Sequence, residues 1–226
     1  MWVKICANTT LEDASRAIEL GADAVGFVFA TSKRQVTPPQ VAAITAALPG
    51  TVERIGVFDS HDADEIAAAV SAAGLSGAQL HGGYDEALVR TLRELLGPDI
   101  AIIQTLHWTV EAHGSDVAGD LKRELDRIAE ARIVRRVLID SKVNGASGGT
   151  GINFDWAAAH RLFSEAVQRF DVILAGGLKP ENVAEAIGQL HPWGVDVASG
   201  VEASVGHKDP ERMLRFIQTV KLATKG

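Results

Sequence analysis

The sequence predicts a closed (β/α)8 barrel of parallel strands. Three observations carry that expectation: short apolar runs, longer amphipathic segments alternating strictly with them, and about 28 residues per unit if 226 residues are shared among eight. Such alternation implies parallel strands joined by helical crossovers. An open doubly wound sheet suits fewer strands, whereas eight even units favour closure. No linker, low-complexity stretch or shift in composition divides the chain, so residues 1–226 are expected to form one domain.

Trp2–Cys6 opens the chain as a strand, and Thr10–Leu20 follows as a helix, with Gly21 where a helix end favours glycine. Asp23–Phe29 is the second strand, apolar on consecutive positions as a strand buried on both faces must be. Helix Pro38–Leu48, strand Val52–Phe58 and helix Asp62–Ala73 come next, the last closed by Gly74. Gly77–His81 and Asp85–Leu95 make the fourth pair, and Ile100–Leu106 with Leu121–Ala131 the fifth. Arg136–Asp140 and Asp155–Arg169 make the sixth, and Asp171–Ala175 with Pro180–Leu190 the seventh. Gly194–Ala198 and Pro210–Thr224 complete the set, with Asp209 as an N-cap. Pro180 and Pro210 are placed in first helical turns, where a missing N–H costs nothing. Three connections are long: Ala30–Thr37, Trp108–Asp120 and Ser141–Gly151. All follow strand C-termini, the face on which such barrels carry their active sites.

Composition narrows the functional classes. With 46% hydrophobic and 23% charged residues, the chain is expected to be a compact soluble globule. A net charge of −7 disfavours general nucleic-acid binding, although a local positive pocket could still take an anionic small molecule. One cysteine excludes an internal disulfide framework and a four-cysteine zinc site. The seven histidines show no metal-ligand spacing, so no metal is expected. No apolar run reaches the roughly 20 residues that span a membrane. Strand residues begin at once, leaving no room for a signal peptide, so the expected location is the cytoplasm.

The strand ends hold the chemistry. Cys6 reads either as a small buried apolar residue or as a thiol that becomes a base or nucleophile. Asp140 reads either as a loop anchor or as a general acid whose proton is retained by partial burial. One acid and one base across a substrate suffice for a proton-shifting isomerisation, with no metal or redox cofactor. Gly176-Gly177 after the seventh strand and Ser199-Gly200 after the eighth occupy the loops that often hold phosphate in such barrels. Otherwise these glycines only permit tight turns. Gly148-Gly149-Thr150-Gly151 fits neither phosphate-loop nor dinucleotide spacing, though such a loop could close over a ligand. Arg34, beyond the second strand, is either solvated or a bidentate partner for a substrate carboxylate. His81, after Gln79-Leu80, is equally suited to a structural hydrogen bond.

The motifs stand in a telling order: Lys4-Ile5-Cys6, Gly26-Phe27-Val28-Phe29 with Ser32-Lys33-Arg34, Gln79-Leu80-His81-Gly82, and Leu138-Ile139-Asp140-Ser141. Gly148-Gly149-Thr150-Gly151, Leu174-Ala175-Gly176-Gly177-Leu178 and Asp196-Val197-Ala198-Ser199-Gly200-Val201-Glu202 follow. Across essentially the whole chain this set resembles the phosphoribosylanthranilate isomerase family of tryptophan biosynthesis. The resemblance implies a single barrel carrying out an Amadori rearrangement of a phosphosugar-anthranilate, as a monomer or homodimer, with no cofactor. It implies that Cys6 is the general base, that Asp140 is the general acid, and that Arg34 lies near the anthranilate carboxylate. It also implies phosphate contacts from Gly177 and Gly200, while Asp196 and His81 match polar positions lining the family's site. Two departures stand out. Ala7 replaces the glycine usual after the cysteine, which would strain the backbone if φ is positive there. Lys33 replaces a frequent proline, which should loosen Arg34. Other phosphosugar barrels fit less well. An epimerase wants paired acids and metal-binding histidines, a synthase wants catalytic lysines on strands, and Lys4 is the one clear strand lysine. A non-catalytic descendant that only binds its ligand should have lost Cys6 or Asp140.

Overall fold

A computed structural model describes residues 1–108, 117–140 and 156–224. The expected loops at 141–151 and most of 108–120 therefore lie outside the described residues, as does Asp155, the expected start of the sixth helix.

The strands are β1 (Trp2–Ile5), β2 (Ala24–Val28), β3 (Glu53–Phe58), β4 (Gly77–Leu80), β5 (Ala101–His107), β6 (Arg136–Asp140), β7 (Asp171–Ala175) and β8 (Gly194–Val197). Between and after them come α1 (Leu11–Glu19), α2 (Pro38–Thr45), α3 (Ala63–Ala72), α4 (Glu86–Leu96), α5 (Val117–Ala131), α6 (Trp156–Ala166), α7 (Val183–Leu190) and α8 (Pro210–Ala223). Each strand pairs in parallel with the next, and β1 pairs with β8, so the sheet closes into a barrel. The predicted architecture is the observed one.

Side-chain alternation divides each strand between two cores. Residues pointing outward pack under the helices, where Val3, Ile5, Val25, Phe27, Ile102 and Phe216 join one large apolar cluster. Trp2, Ala24, Ile55, Ile103, Leu138 and Ile173 point inward and fill the lumen as a second cluster. At the N-terminal end of the strands Arg136 stops the lumen. It hydrogen-bonds Glu53, and its guanidinium lies 4.9 Å from the Trp193 ring centre and 5.6 Å from that of Trp2. Among the described residues the lumen is therefore filled below and opens at the strand C-termini.

Local chemistry starts the helices where the sequence places them. Asp62, Asp85 and Asp209 each accept hydrogen bonds from two backbone N–H groups of the helix they precede, and Thr10 accepts one from Asp13. These caps satisfy donors that have no partner within the helix.

Two local expectations need correction. Pro180 does not sit in the first turn of α7. Asn182 instead accepts from the Lys179 N–H and donates to the Gly177 carbonyl, making a separate turn that delays the helix to Val183. The connection after β8 is also more structured than expected. A short 3-10 turn at Ser199–Val201 leads into an antiparallel hairpin of β9 (Glu202–Ser204) and β10 (His207–Lys208) before α8. No apolar alternation announces strands this short.

Ile103 is fully enclosed in the lumen. Ile103→Ala should cost about 2–5 kcal/mol, because facing strands cannot collapse into the void. Denaturant unfolding checks this, and a loss under 1 kcal/mol would show a lumen looser than its packing implies.

Candidate active site

Strand β1 turns sharply at its end and leaves the buried Cys6 thiol on the wall of a cavity. The Cys6 N–H donates to the Val197 carbonyl at 2.8 Å, tying that strand end to β8. Ala7 then takes φ +61°, the left-handed region. Buried Asn8 staples the turn, donating from its side chain to the carbonyls of Ile5 at 2.8 Å and Gly26 at 3.2 Å. Gly26 is required alongside: a Cβ there would lie 2.6 Å from the Cys6 sulfur. The positive φ at Ala7 answers the conditional raised by the sequence, for this position does carry strain.

A cavity of about 290 Å³ opens at the strand C-termini. Cys6, Asp140, Arg34, His81 and Asp196 all line it, as do Gly176, Gly177 and Ser199. Eight of the nine residues singled out from sequence thus face one space. Gly200 does not line it but packs behind, where a Cβ would meet the Leu178 carbonyl oxygen at 1.9 Å. That close approach draws together the loops after β7 and β8. Gly176 and Gly177 both have positive φ, and nothing lies within 4 Å of a Cβ built on Gly177, so its backbone is open to a ligand. Asp140 is buried at the end of β6, and its carbonyl accepts from the Trp108 N–H at 2.9 Å. The His81 N–H donates to the Phe58 carbonyl at 2.7 Å.

Beneath the cavity floor lies a charged layer that sequence reasoning missed. Lys4 is completely buried, 3.2 Å from the Asp196 carboxylate. Its ammonium also donates to the Gln79 side-chain oxygen at 2.5 Å and approaches the Cys6 sulfur at 3.5 Å. Gln79 in turn donates to the Thr105 hydroxyl at 3.2 Å. Burial pulls the Lys4 pKa down, but the charges of Asp196 and Cys6 outweigh it and hold the ammonium protonated. Burial pushes the Cys6 thiol up, opposed by Lys4. It also raises the Asp196 carboxyl, against the pull of Lys4 and with a further push from Asp140. The signal was available: a lysine in an otherwise apolar strand needs a buried counter-charge.

Arg34 is not a loose surface cation. Its Nε and Nη2 donate to the two Glu202 oxygens at 2.7 and 2.6 Å, a fork held by the β9–β10 hairpin. Nη1 has no protein partner among the described residues. Buried Lys208 lies 3.5 Å from Glu202 and donates to the Ala198 carbonyl at 3.1 Å. Burial alone would lift the Glu202 pKa, but the hydrogen bonds from Arg34 and the charges of Lys208 and Arg34 hold it below the usual carboxylate value. Burial lowers the pKa of Lys208. The expected loosening by Lys33 is offset by this clamp, which could not be read without the hairpin.

Residues 3–219 match the family model described as N-(5′-phosphoribosyl)anthranilate (PRA) isomerase. The chain belongs to this family. It is accordingly an isomerase. The enzyme so named from Rubrobacter xylanophilus is 40% identical over 220 residues, spanning 97% of this chain and 98% of that one. Among solved structures, the phosphoribosyl anthranilate isomerase of Thermotoga maritima superposes with a TM-score of 0.80 at 37% identity, covering 98% of both chains. Another structure of a phosphoribosyl anthranilate isomerase, holding reduced 1-(o-carboxyphenylamino)-1-deoxyribulose 5-phosphate, gives 0.77 at 36% identity and the same coverage. No helix among the described residues of this isomerase is long and apolar enough to cross a membrane.

Two substitutions test the site's construction. Ala7→Gly should stabilise this isomerase by about 0.5–1 kcal/mol, since an alanine with positive φ costs more than the extra freedom of an unfolded glycine. A lower melting temperature would mean that the turn's packing outweighs its backbone strain. Glu202→Gln addresses the depressed carboxylate. The folded pKa lies below the unfolded value of about 4.3, so its stabilisation is complete above that pH and fades as pH falls through the folded pKa. The variant should melt below wild type near neutrality, with the gap closing in acid. A gap independent of pH would remove the charge argument.

Proposed function

We propose that this isomerase catalyses the Amadori rearrangement of N-(5-phosphoribosyl)anthranilate to 1-(2-carboxyphenylamino)-1-deoxyribulose 5-phosphate, in tryptophan biosynthesis. The observation that carries the reading is the presence of Cys6 and Asp140, from strands β1 and β6, in one cavity bordered by the glycine turns after β7 and β8. The relative that holds a reduced form of this product supports the substrate class.

Asp140, as general acid, gives its proton to the ribose ring oxygen. The bond from that oxygen to C1′ breaks while the anthranilate nitrogen lone pair forms a C1′=N iminium. Cys6, as thiolate, removes the C2′ proton, and the electrons of that C–H bond become the C1′=C2′ bond of an enolamine. Return of a proton to C1′ and loss of the hydroxyl proton at C2′ leave the ketone. The iminium is the electron sink, so the protein supplies two proton transfers and positioning.

The surroundings fit these roles. A buried thiolate is a strong base, and the Lys4 ammonium at 3.5 Å stabilises its charge without an intervening water. The backbone around Gly176, Gly177, Ser199 and Gly200 would receive the phosphate. Arg34, already oriented by Glu202, would offer its remaining donors to the anthranilate carboxylate. Asp196 would act through Lys4, and His81 would border the sugar.

Cys6→Ala and Asp140→Asn should each lower kcat by a factor on the order of 10² to 10⁴, with substrate binding far less affected. The fluorescence lost as the anthranilate substrate rearranges provides the assay. Turnover near wild type in either variant removes that residue from the mechanism.

A further inference from the structure

The histidines show no metal spacing along the chain, yet the barrel gathers two of them beside a carboxylate. His81 follows β4, while His107 and Asp140 end β5 and β6, where they are directly paired across the sheet. A ligand atom from each lies within 4.8 Å of the other two. The two imidazole rings meet edge to face, with centres 4.6 Å apart. His107 Nε2 is 2.9 Å from the His81 carbonyl oxygen, the kind of outer hydrogen bond that fixes the orientation of a ligating imidazole. His107 is exposed, so a path from solvent exists.

We propose that His81, His107 and Asp140 bind one divalent transition-metal ion, zinc in preference to magnesium or calcium, and that its binding shuts off the isomerase. Two imidazoles and a carboxylate are the donor set that zinc takes with a fourth position left to water. To bind one ion the three ligand atoms, now within 4.8 Å of one another, draw in to bonds of about 2 Å. A hard cation such as magnesium would want more oxygen ligands than this cluster supplies. The inhibitory half rests on the role of Asp140 as general acid, because a carboxylate oxygen bonded to zinc cannot carry the proton for the ring oxygen. The binding half stands on the three strand ends alone.

The test uses the chelator-treated protein and separates the halves. Titration with Zn2+ should show one equivalent bound, and Co2+ in its place should give the visible bands of a four-coordinate site. Turnover should fall with occupancy and return with EDTA. His107→Ala, a change at an exposed strand end outside the proposed proton-transfer and substrate contacts, should keep metal-free turnover. It should bind Zn2+ at least about 10- to 100-fold more weakly and escape inhibition. His107→Gln should behave alike. Absence of a stoichiometric site, or equal affinity in wild type and both variants, overturns the proposal. Full occupancy with unchanged turnover overturns its inhibitory half. Asp140→Asn assayed without metal then locates the fault: a crippled variant upholds the acid and places the metal wrongly, while an active one removes the acid itself.

Discussion

Closure of the sheet between its first and last strands sets an ammonium opposite a carboxylate inside the barrel. Register alone does this: β1 pairs with β8 so that Lys4 lies directly across from Asp196, and both point inward. Neither charge could be buried alone, since each would face the desolvation cost without compensation. Together, with Gln79 accepting a hydrogen bond from the ammonium, they form a polar layer between a hydrophobic plug and an open cavity. Cys6 stands two residues beyond Lys4 on the same face, so the layer that reconciles the lumen with charge also sets the electrostatics of the thiol.

A second layer repeats this logic near the rim. Glu202 and Lys208 come from the hairpin after β8, while Arg34 comes from the connection after β2. The carboxylate neutralises two cations from different parts of the chain. An arginine fixed by a bidentate partner loses less side-chain freedom when a ligand arrives than one waving in water. Glu202 thus settles the orientation of Arg34 from within the protein itself.

The barrel was legible because eight apolar runs alternate with amphipathic segments, and that pattern has few other solutions. The candidate site was legible where a polar group or a glycine turn closes a strand: Cys6, Asp140 and Gly176-Gly177 each follow an apolar run directly and line one cavity. What stayed hidden depends on pairing between distant segments. Nothing in the sequence around Lys4 or Glu202 names Asp196 or Arg34 as its counterpart, because those partners lie 192 and 168 positions away. The hairpin strands are too short to show alternation. His81, His107 and Asp140 share no linear spacing and meet because β4, β5 and β6 are neighbours in the sheet, with His107 paired to Asp140. Gln79 stands two residues before His81, and its side chain points into the lumen to meet Lys4.

The closing seam between β1 and β8 also bears on how the chain is made. Synthesis runs from the N-terminus, so β1 emerges well before β8, the partner that closes the sheet. Until β8 arrives, β1 has one unpaired edge, Lys4 lacks its carboxylate, and Arg34 awaits the hairpin that holds it. An edge strand with unmatched hydrogen bonds is a template for the wrong neighbour. The nascent chain therefore carries an open seam until β8 arrives, and the contacts that complete the candidate site, Lys4 to Asp196 among them, are the same ones that seal it.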